Sequence, residues 1–147
     1  SGETVALADL QDLETAELYS GVTKNGTFNG QAYTCGGVKY AKGIYTPPKT
    51  QSTAMIAFRP PAGARRLRGG AGVFSMAGKD NQPGSAMTME IAIDGDVVWK
   101  SPALTAREQM ARFDVPLNNG TRVELRTRTA GNNASCWGAW LDPVFVK

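Results

Sequence analysis

The amino-acid sequence contains no histidine and only two cysteines in 147 residues. Without histidine, the chain lacks the side chain that most often serves as a general base near neutral pH. Two cysteines alone supply too few ligands for a tetrahedral zinc site. Aspartate and glutamate are scattered, and the sequence has neither a nucleophile elbow nor a Walker-type loop. These absences predict that the protein is not an enzyme.

Long apolar runs and a strong charge imbalance are also missing. No window approaches the roughly 18 consecutive apolar residues of a membrane-spanning helix, so we expect no membrane insertion. Lys and Arg number 16 and Asp and Glu 13, and the net charge of +3 permits an acidic partner without requiring one. The chain starts with neither a methionine nor a signal-peptide pattern, so we expect a processed protein or an excised domain. Its length favours one domain over residues 1–147.

The clearest pattern is the alternation between residues 86 and 101. Apolar side chains at 87, 89, 91 and 93 alternate with small or polar ones, which places them on one face of a strand. Asp94 and Gly95 tolerate the positive φ angles of a tight turn, and residues 97–99 can return antiparallel. One face of this hairpin is too apolar for water, so another sheet must cover it. The segment therefore predicts a β-sandwich.

The remainder of the chain consists of short apolar or alternating segments separated by Gly, Pro and Asn turns. This pattern is typical of an all-β fold, an antiparallel β-sandwich or jelly roll. Residues 12–18 could form a helical turn, residues 103–110 are the best candidate for a short helix, and paired prolines place 42–48 in a loop. The other predicted strands cover residues 5–10, 32–39 with a break at Gly36-Gly37, 52–58, 65–76, 111–117, 121–129 and 136–146.

The two cysteines, Cys35 and Cys136, lie far apart in the sequence. If the protein is exported, the pair can form a disulfide that closes a long loop. In the chain-entropy model such a bond stabilises the fold by up to about 4–5 kcal/mol. The alternative is two small buried thiols in different strands. We favour the disulfide.

Three segments stand in a recognisable order: GVKYAKGIYT at 37–46, MEIAIDGDVVWKS at 89–101 and WGAWLDPVFV at 137–146. They resemble, in that order, motifs of the NPCBM group, family 51 of the carbohydrate-binding modules. The resemblance implies a galactose-binding-domain-like or malectin-like β-sandwich. It also implies a non-catalytic accessory module of a larger secreted or surface protein, extracellular or periplasmic, that binds a galactose-type or other glycan through loops at one end of the sandwich.

Three positions depart from that family pattern. Pro47 stands where the family often has a histidine, and Phe74 and Cys136 stand where it often has acidic residues. Ligand and metal roles tied to these positions therefore do not carry over to this chain.

Sugars are bound by aromatic rings that pack on the C–H face of a pyranose and by polar side chains that bond its hydroxyls. Trp137 follows the polar loop 131–135, and Tyr45 lies in the segment stiffened by the two prolines, so we predict that either ring stacks on a ligand. Core packing for Trp137 and edge covering for Tyr45 are the alternatives. The side chains predicted to bond the sugar are Asn132, Asn133 and Lys42, with Asp80 and Asn81 from a third polar loop that is otherwise a solvated turn.

Other functions stay open at this point. Arginines at 65, 66 and 68 and at 122, 126 and 128 would form a basic face if their strands are neighbours, which suits an acidic polysaccharide. No aromatic residue interleaves with them, so we expect no nucleic-acid partner. A structural or protein-interaction domain without a sugar site is another alternative. No cofactor is certain, and a structural calcium ion stays open although no D-x-D-x-D spacing marks a site.

Overall fold

The computed structural model describes residues 2–27, 30–75 and 82–147, and it arranges them in antiparallel sheets. A short 3-10 turn covers Leu7–Asp9, and the described residues as a whole contain no α-helix. The predicted antiparallel β-sandwich is confirmed. The strands are β1 (Thr4–Ala6), β2 (Glu14–Ala16), β3 (Thr23–Lys24), β4 (Tyr33–Cys35), β5 (Val38–Tyr40), β6 (Gly43–Tyr45), β7 (Thr53–Phe58), β8 (Arg66–Val73), β9 (Met87–Ile93), β10 (Asp96–Lys100), β11 (Met110–Pro116), β12 (Val123–Thr129) and β13 (Gly138–Val146).

The two main sheets enclose one large apolar core. The first sheet has the order β11-β8-β13-β6-β3, with β1 also paired to β13, and the second has the order β10-β9-β12-β7-β2. Alternate residues of each strand point between the sheets, as the period-two pattern requires. The fully buried members of this core include Ile44, Leu67, Trp140 and Phe145 from the first sheet and Ile56, Met89, Ile91 and Leu125 from the second.

The hairpin predicted at residues 86–101 is confirmed as β9 and β10. Asp94 and Gly95 form its turn with φ angles of 50° and 91°, the left-handed region that this short turn needs. The Asp94 carboxylate accepts hydrogen bonds from the backbone N–H groups of Thr121 and Arg122. This contact ties the hairpin turn to the start of β12 and helps to set the register between the two strands.

A second, smaller layer covers part of the outer face of the first sheet. The β4–β5 hairpin contributes Tyr33 and Cys35, which pack with Tyr45, Phe74, Ala139 and Leu141 in a separate buried cluster. We call these six residues the outer cluster. Glycines make room for it, because a Cβ on Gly43 would lie 2.6 Å from the Tyr33 ring and one on Gly72 would lie 2.9 Å from Cys35 Sγ.

Three local predictions are wrong, each because tertiary pairing decides the conformation. Residues 14–16 form an edge strand against β7 rather than a helical turn, and 103–110 contains a turn without a helix. Residues 43–45 form a strand inside the first sheet, and the prolines follow it. The break predicted at Gly36-Gly37 is confirmed, and it reverses the chain: β4 and β5 form a hairpin that turns at these glycines, whose φ angles are 60° and 78°.

The favoured disulfide between Cys35 and Cys136 is corrected, because both cysteines are free and buried. Cys35 Sγ lies 3.5 Å from the Val73 carbonyl in the outer cluster. Cys136 Sγ lies 3.5 Å from the Asn132 carbonyl, beside the polar loop that precedes β13. Each sulfur is held against a different backbone segment, so the arrangement matches the alternative of two separate thiols.

The proposed basic face does not form, because β8 and β12 belong to different sheets. On the first sheet, Arg66 and Arg68 contact the Asp114 carboxylate at 2.6 and 3.4 Å. The arginines of the second row are paired as well: Arg122 with Glu14 and Glu124, Arg126 with Glu124, and Arg128 with Glu90. A single arginine-faced surface for an acidic polymer is therefore excluded.

We expect Gly43→Ala to destabilise the fold, because its Cβ would overlap the fully buried Tyr33 ring and lie 3.0 Å from the Trp140 carbonyl. The free energy of unfolding in urea should fall by about 1–3 kcal/mol. Gly21→Ala is the matched control, since no atom lies within 4 Å of its Cβ. Equal stability of the two variants would show that the outer layer does not pack on the sheet as described.

The free cysteines make a second prediction. Mass measurement of the unreduced, unfolded protein after alkylation should show two modified thiols, and reductant should leave the urea midpoint unchanged because no cross-link is lost. In the native state both thiols should react slowly because both are buried. If alkylation leaves the unreduced protein unchanged and its mass is lower than that of the reduced chain by two hydrogen atoms, the cysteines form a disulfide, which would contradict the structure.

Candidate functional site

A cavity of about 400 Å³ opens at the end of the sandwich where β6 finishes and β13 begins. The pairing of β1 with the last residues of β13 lies at the other end of that strand. Loops from three parts of the chain meet at the cavity. Its lining residues are Tyr19, Ser20, Thr23, Tyr45, Pro47, Pro48, Asn133, Ala134, Ser135, Cys136 and Trp137.

Trp137 lines this cavity and is half-buried. Its indole stacks on Phe74 with ring centroids 6.0 Å apart and an interplanar angle of 15°. The Arg107 guanidinium lies 4.3 Å from the indole centroid, and Arg107 Nη1 donates to the Phe74 carbonyl at 2.9 Å. These contacts hold the Trp137 ring in one orientation, because stacking and cation–π attraction both depend on ring geometry.

Tyr45 forms the inner wall of the cavity. Only 7% of its surface is exposed, and its ring packs edge-on against Phe74 at 5.2 Å. Burial raises the pKa of the Tyr45 hydroxyl, which therefore stays protonated. Of the two aromatic residues predicted from the sequence, the structure brings both to one cavity and leaves Trp137 the more accessible.

Tyr19 lines the cavity and is not among the site residues predicted from the sequence. Its side chain is 68% exposed, and its backbone N–H donates to the Pro47 carbonyl at 2.8 Å. Leu18 also forms an isolated bridge with Pro48, so this loop is attached to the segment after β6. The only sign of a site at this position in the sequence is a tyrosine beside Ser20, and it gives no indication that residues 19 and 137 lie close together.

Asn133 connects the two loops that form the rim. Its Nδ2 donates to the Pro48 carbonyl at 2.9 Å, and its Oδ1 accepts from Thr50 Oγ1 at 3.1 Å. Asn132 is exposed and outside the lining, and its Oδ1 accepts from the Ala134 N–H at 2.7 Å. Asn133 therefore uses both ends of its amide to hold the loop in shape, and Asn132 uses its amide oxygen for the same purpose.

Lys42 lies at the start of β6, away from the cavity at the end of that strand. Its Nζ contacts Asp9 Oδ1 at 2.6 Å, and it is absent from the lining. Asp80 and Asn81, the remaining predicted site residues, lie outside the described residues.

The chemistry of the cavity is aromatic and hydroxylic. Ser20, Thr23 and Ser135 supply hydroxyl groups beside the aromatic rings, and none of the lining residues described above carries a charge at neutral pH. Such a surface matches a neutral ligand with both C–H faces and hydroxyls. Across residues 2–27, 30–75 and 82–147, no group of three or more His, Cys, Asp and Glu side chains could hold a metal ion, and no helix is long and apolar enough to cross a membrane.

A family model described as "NPCBM/NEW2 domain" matches residues 3–146. Among curated proteins, none matches the sequence. Several solved structures share the fold. One of them is the structure of CBM51-2 in complex with GlcNAc and INT domains from Clostridium perfringens ZmpB. It has a TM-score of 0.83 and 18% identity to this protein, and the match covers 99% of this chain and 32% of that chain.

Two further structures show the same likeness. CBM51 from Clostridium perfringens GH95 in complex with methyl-galactose has a TM-score of 0.80 and 22% identity, with 97% of this chain and 99% of that chain covered. The tandem CBM51 modules of Sp3GH98 from Streptococcus pneumoniae have a TM-score of 0.82 and 15% identity, with 100% of this chain and 48% of that chain covered. At these identities the likeness establishes the fold.

We expect alkaline pH to lower the stability of the fold, because it ionises buried side chains of the outer cluster. Burial, with a smaller effect from the Glu108 charge, raises the pKa of Cys35 from 9.0 to about 11, and burial also raises the pKa of Tyr33. A raised pKa stabilises the fold below the unfolded pKa, and this contribution is lost as pH rises through the folded pKa. The free energy of unfolding should therefore fall between pH 9 and about pH 11.

The variant Cys35→Ala should show a shallower fall across this pH range, measured by urea denaturation. Met110→Leu is the matched control, because Met110 packs against the same cluster without a titratable group. Parallel pH profiles of Cys35→Ala and the wild type would show that ionisation of Cys35 does not contribute to the loss of stability.

Proposed function

Since the chain belongs to the NPCBM/NEW2 domain family, we propose that it is a non-catalytic carbohydrate-binding module. The cavity at the β6–β13 end is its glycan site. The observation that carries this proposal is the meeting of Trp137, Tyr45 and Tyr19 with uncharged hydroxyl groups in one cavity. The family membership predicts the class of ligand, and the cavity provides a surface that suits it.

The binding mechanism combines an aromatic wall with a rigid rim. Trp137 and Tyr19 pack against the C–H face of a sugar ring, while Ser20, Ser135 and the backbone of the loops bond its hydroxyls. The stacking of Phe74 and Arg107 on Trp137 and the hydrogen bonds of Asn133 keep the site in shape before the ligand arrives. Little conformational entropy is then lost on binding.

The sugar and the setting of the module are parts of the same proposal. A neutral sugar of galactose type is supported by the uncharged lining and by the methyl-galactose complex of a protein with this fold. The ZmpB structure holds a CBM51 module together with INT domains, and the Sp3GH98 structure holds CBM51 modules in tandem. We place residues 1–147 as one module within a larger extracellular or periplasmic protein, with glycan as its partner and neither nucleic acid nor membrane insertion required.

A glycan array, followed by calorimetry on each hit, tests the proposal. Tyr19→Ala and Trp137→Ala should each weaken binding of a neutral galactose-type glycan by about tenfold or more, since each removes an aromatic contact. Tyr19 is the sharper test because its exposed side chain contributes little to folding. Tyr19→Phe should keep most of the affinity, because the ring remains.

Leu13→Ala provides the control, because Leu13 is exposed and lies outside the cavity lining. Binding that survives both aromatic variants would place the glycan elsewhere on the protein. An array without hits, with a cooperatively folded protein, would favour a structural or protein-interaction domain.

A further inference from the structure

A second concavity of about 400 Å³ lies on the outer face of the first sheet, beside the β4–β5 hairpin. Its lining shares no residue with that of the first cavity. Tyr40 at the end of β5 forms one wall, and β8, β11 and β13 supply the floor and the rims. We call this concavity the outer groove.

The strand register explains how charged and apolar groups meet in the outer groove. Arg112 of β11 and Leu141 of β13 both face Gly70 of the central strand β8, so they lie at one level on either side of it. At the next level, Arg68 of β8 stands between Asp114 and Val144. The groove therefore has an apolar floor formed by Leu141 and Val144, with charged side chains beside it.

Tyr40 is held in place at the edge of this floor. Its ring is half-buried and packs against the outer cluster, and its hydroxyl lies 3.7 Å from Met110 Sδ. The Met110 side chain in turn fills the space above Gly70, where a Cβ would lie 2.8 Å from Met110 Cε. A fixed aromatic ring beside an apolar floor is a surface on which a sugar ring can pack.

The charged side chains of the outer groove differ in whether they have ion-pair partners. Asp114 accepts hydrogen bonds from Arg66 Nε at 2.6 Å and Arg68 Nε at 3.4 Å. The hydrogen bond from Arg66, foremost, holds the pKa of Asp114 below its usual range, so the carboxylate stays ionised. Arg112 and Asp142 are exposed and have no ion pair with the described residues.

Arg112 and Asp142 stand on opposite sides of β8, and strands in a sheet are about 4.8 Å apart, so roughly 10 Å separates their backbones. A guanidinium on one rim donates to a carboxylate, ideally through paired bonds. A carboxylate on the other rim accepts from hydroxyl groups. The two rims are therefore complementary to one molecule that carries an acid group at one end and hydroxyls at the other.

We propose that the outer groove is a second binding site, for a sugar that carries a carboxylate, of the uronic acid class. Arg112 binds the carboxylate with help from Arg68, Asp142 accepts from the ring hydroxyls, and Tyr40 packs on the C–H face of the ring. A polyanion such as nucleic acid fits poorly, because Asp114 and Asp142 would repel a continuous line of phosphates. This site is separate from the neutral-sugar cavity and does not depend on it.

Titration of the full chain with glucuronic acid, followed by amide NMR shifts and calorimetry, tests the assignment. Saturable shifts should map to β8, β11 and β13, and glucose, the neutral counterpart, should not produce them. Arg112→Ala should weaken glucuronic acid binding by about tenfold, because a charge-assisted contact is lost. Arg112→Lys should recover part of the affinity, since it keeps the charge without the paired donors.

Arg59→Ala is the matched control, because it removes the same charge from an exposed arginine outside the groove. An equal loss in Arg59→Ala would show unspecific attraction and overturn the proposal. So would unchanged affinity in Arg112→Ala, the absence of saturable binding, or equally strong competition by inorganic sulfate, which would indicate an anion site without sugar recognition.

The neutral-glycan site is tested separately in the same variants. Trp137→Ala should leave glucuronic acid binding intact, and Arg112→Ala should leave neutral-glycan binding intact. Loss of glucuronic acid binding in Trp137→Ala alone would move the acid sugar to the first cavity and overturn the second site. If one of the two proposed sites fails its test, the test of the other site is unaffected.

Discussion

The packing of the outer cluster on the first sheet is the constraint on which both candidate sites depend. Side chains at Gly43 and Gly72 would occupy the space that Tyr33 and Cys35 fill, so the cluster can form only where these strands are bare. Phe74 sits at its centre and contacts Tyr33, Tyr45 and Trp137. The wall of the cavity is thereby built on a packed layer rather than on a free loop, which preorganises it for a ligand.

The same layer separates two surfaces of different chemistry. At its cavity end, Trp137 and Tyr45 border a space lined by hydroxyls and prolines. At its other side, Tyr40 borders the groove where Arg112 and Asp142 face each other across β8. The two surfaces are connected through β13, because Trp137 of the cavity directly precedes this strand and Leu141 of the groove lies within it. One sheet can therefore carry an uncharged and a charged concavity without either disturbing the buried core, because the charged side chains alternate outward from strands whose other face is apolar.

Period-two alternation was sufficient to predict several of the strands that carry the core. Met87 to Ile93 and Phe113 to Leu117 read as half-buried strands from sequence and lie in the two sheets. Local sequence patterns mislead where neighbouring strands decide the conformation. Residues 14–16 become a strand because β7 offers an open edge, and Gly43–Tyr45 is buried in a sheet despite the prolines that follow. Short segments carry too little local preference to outweigh such pairing.

The candidate site divides in the same way. The sequence by itself determined the sandwich and indicated Trp137 and Tyr45 as aromatic residues of the candidate site, because alternation, turn residues and a tryptophan after a polar loop are local properties. Only the tertiary structure decided that Tyr19 joins Trp137, that Lys42 lies elsewhere, that the cysteines stay apart and that the two arginine rows occupy different sheets. Those outcomes depend on which strands become neighbours, and strand order is set by how the whole chain buries its apolar faces.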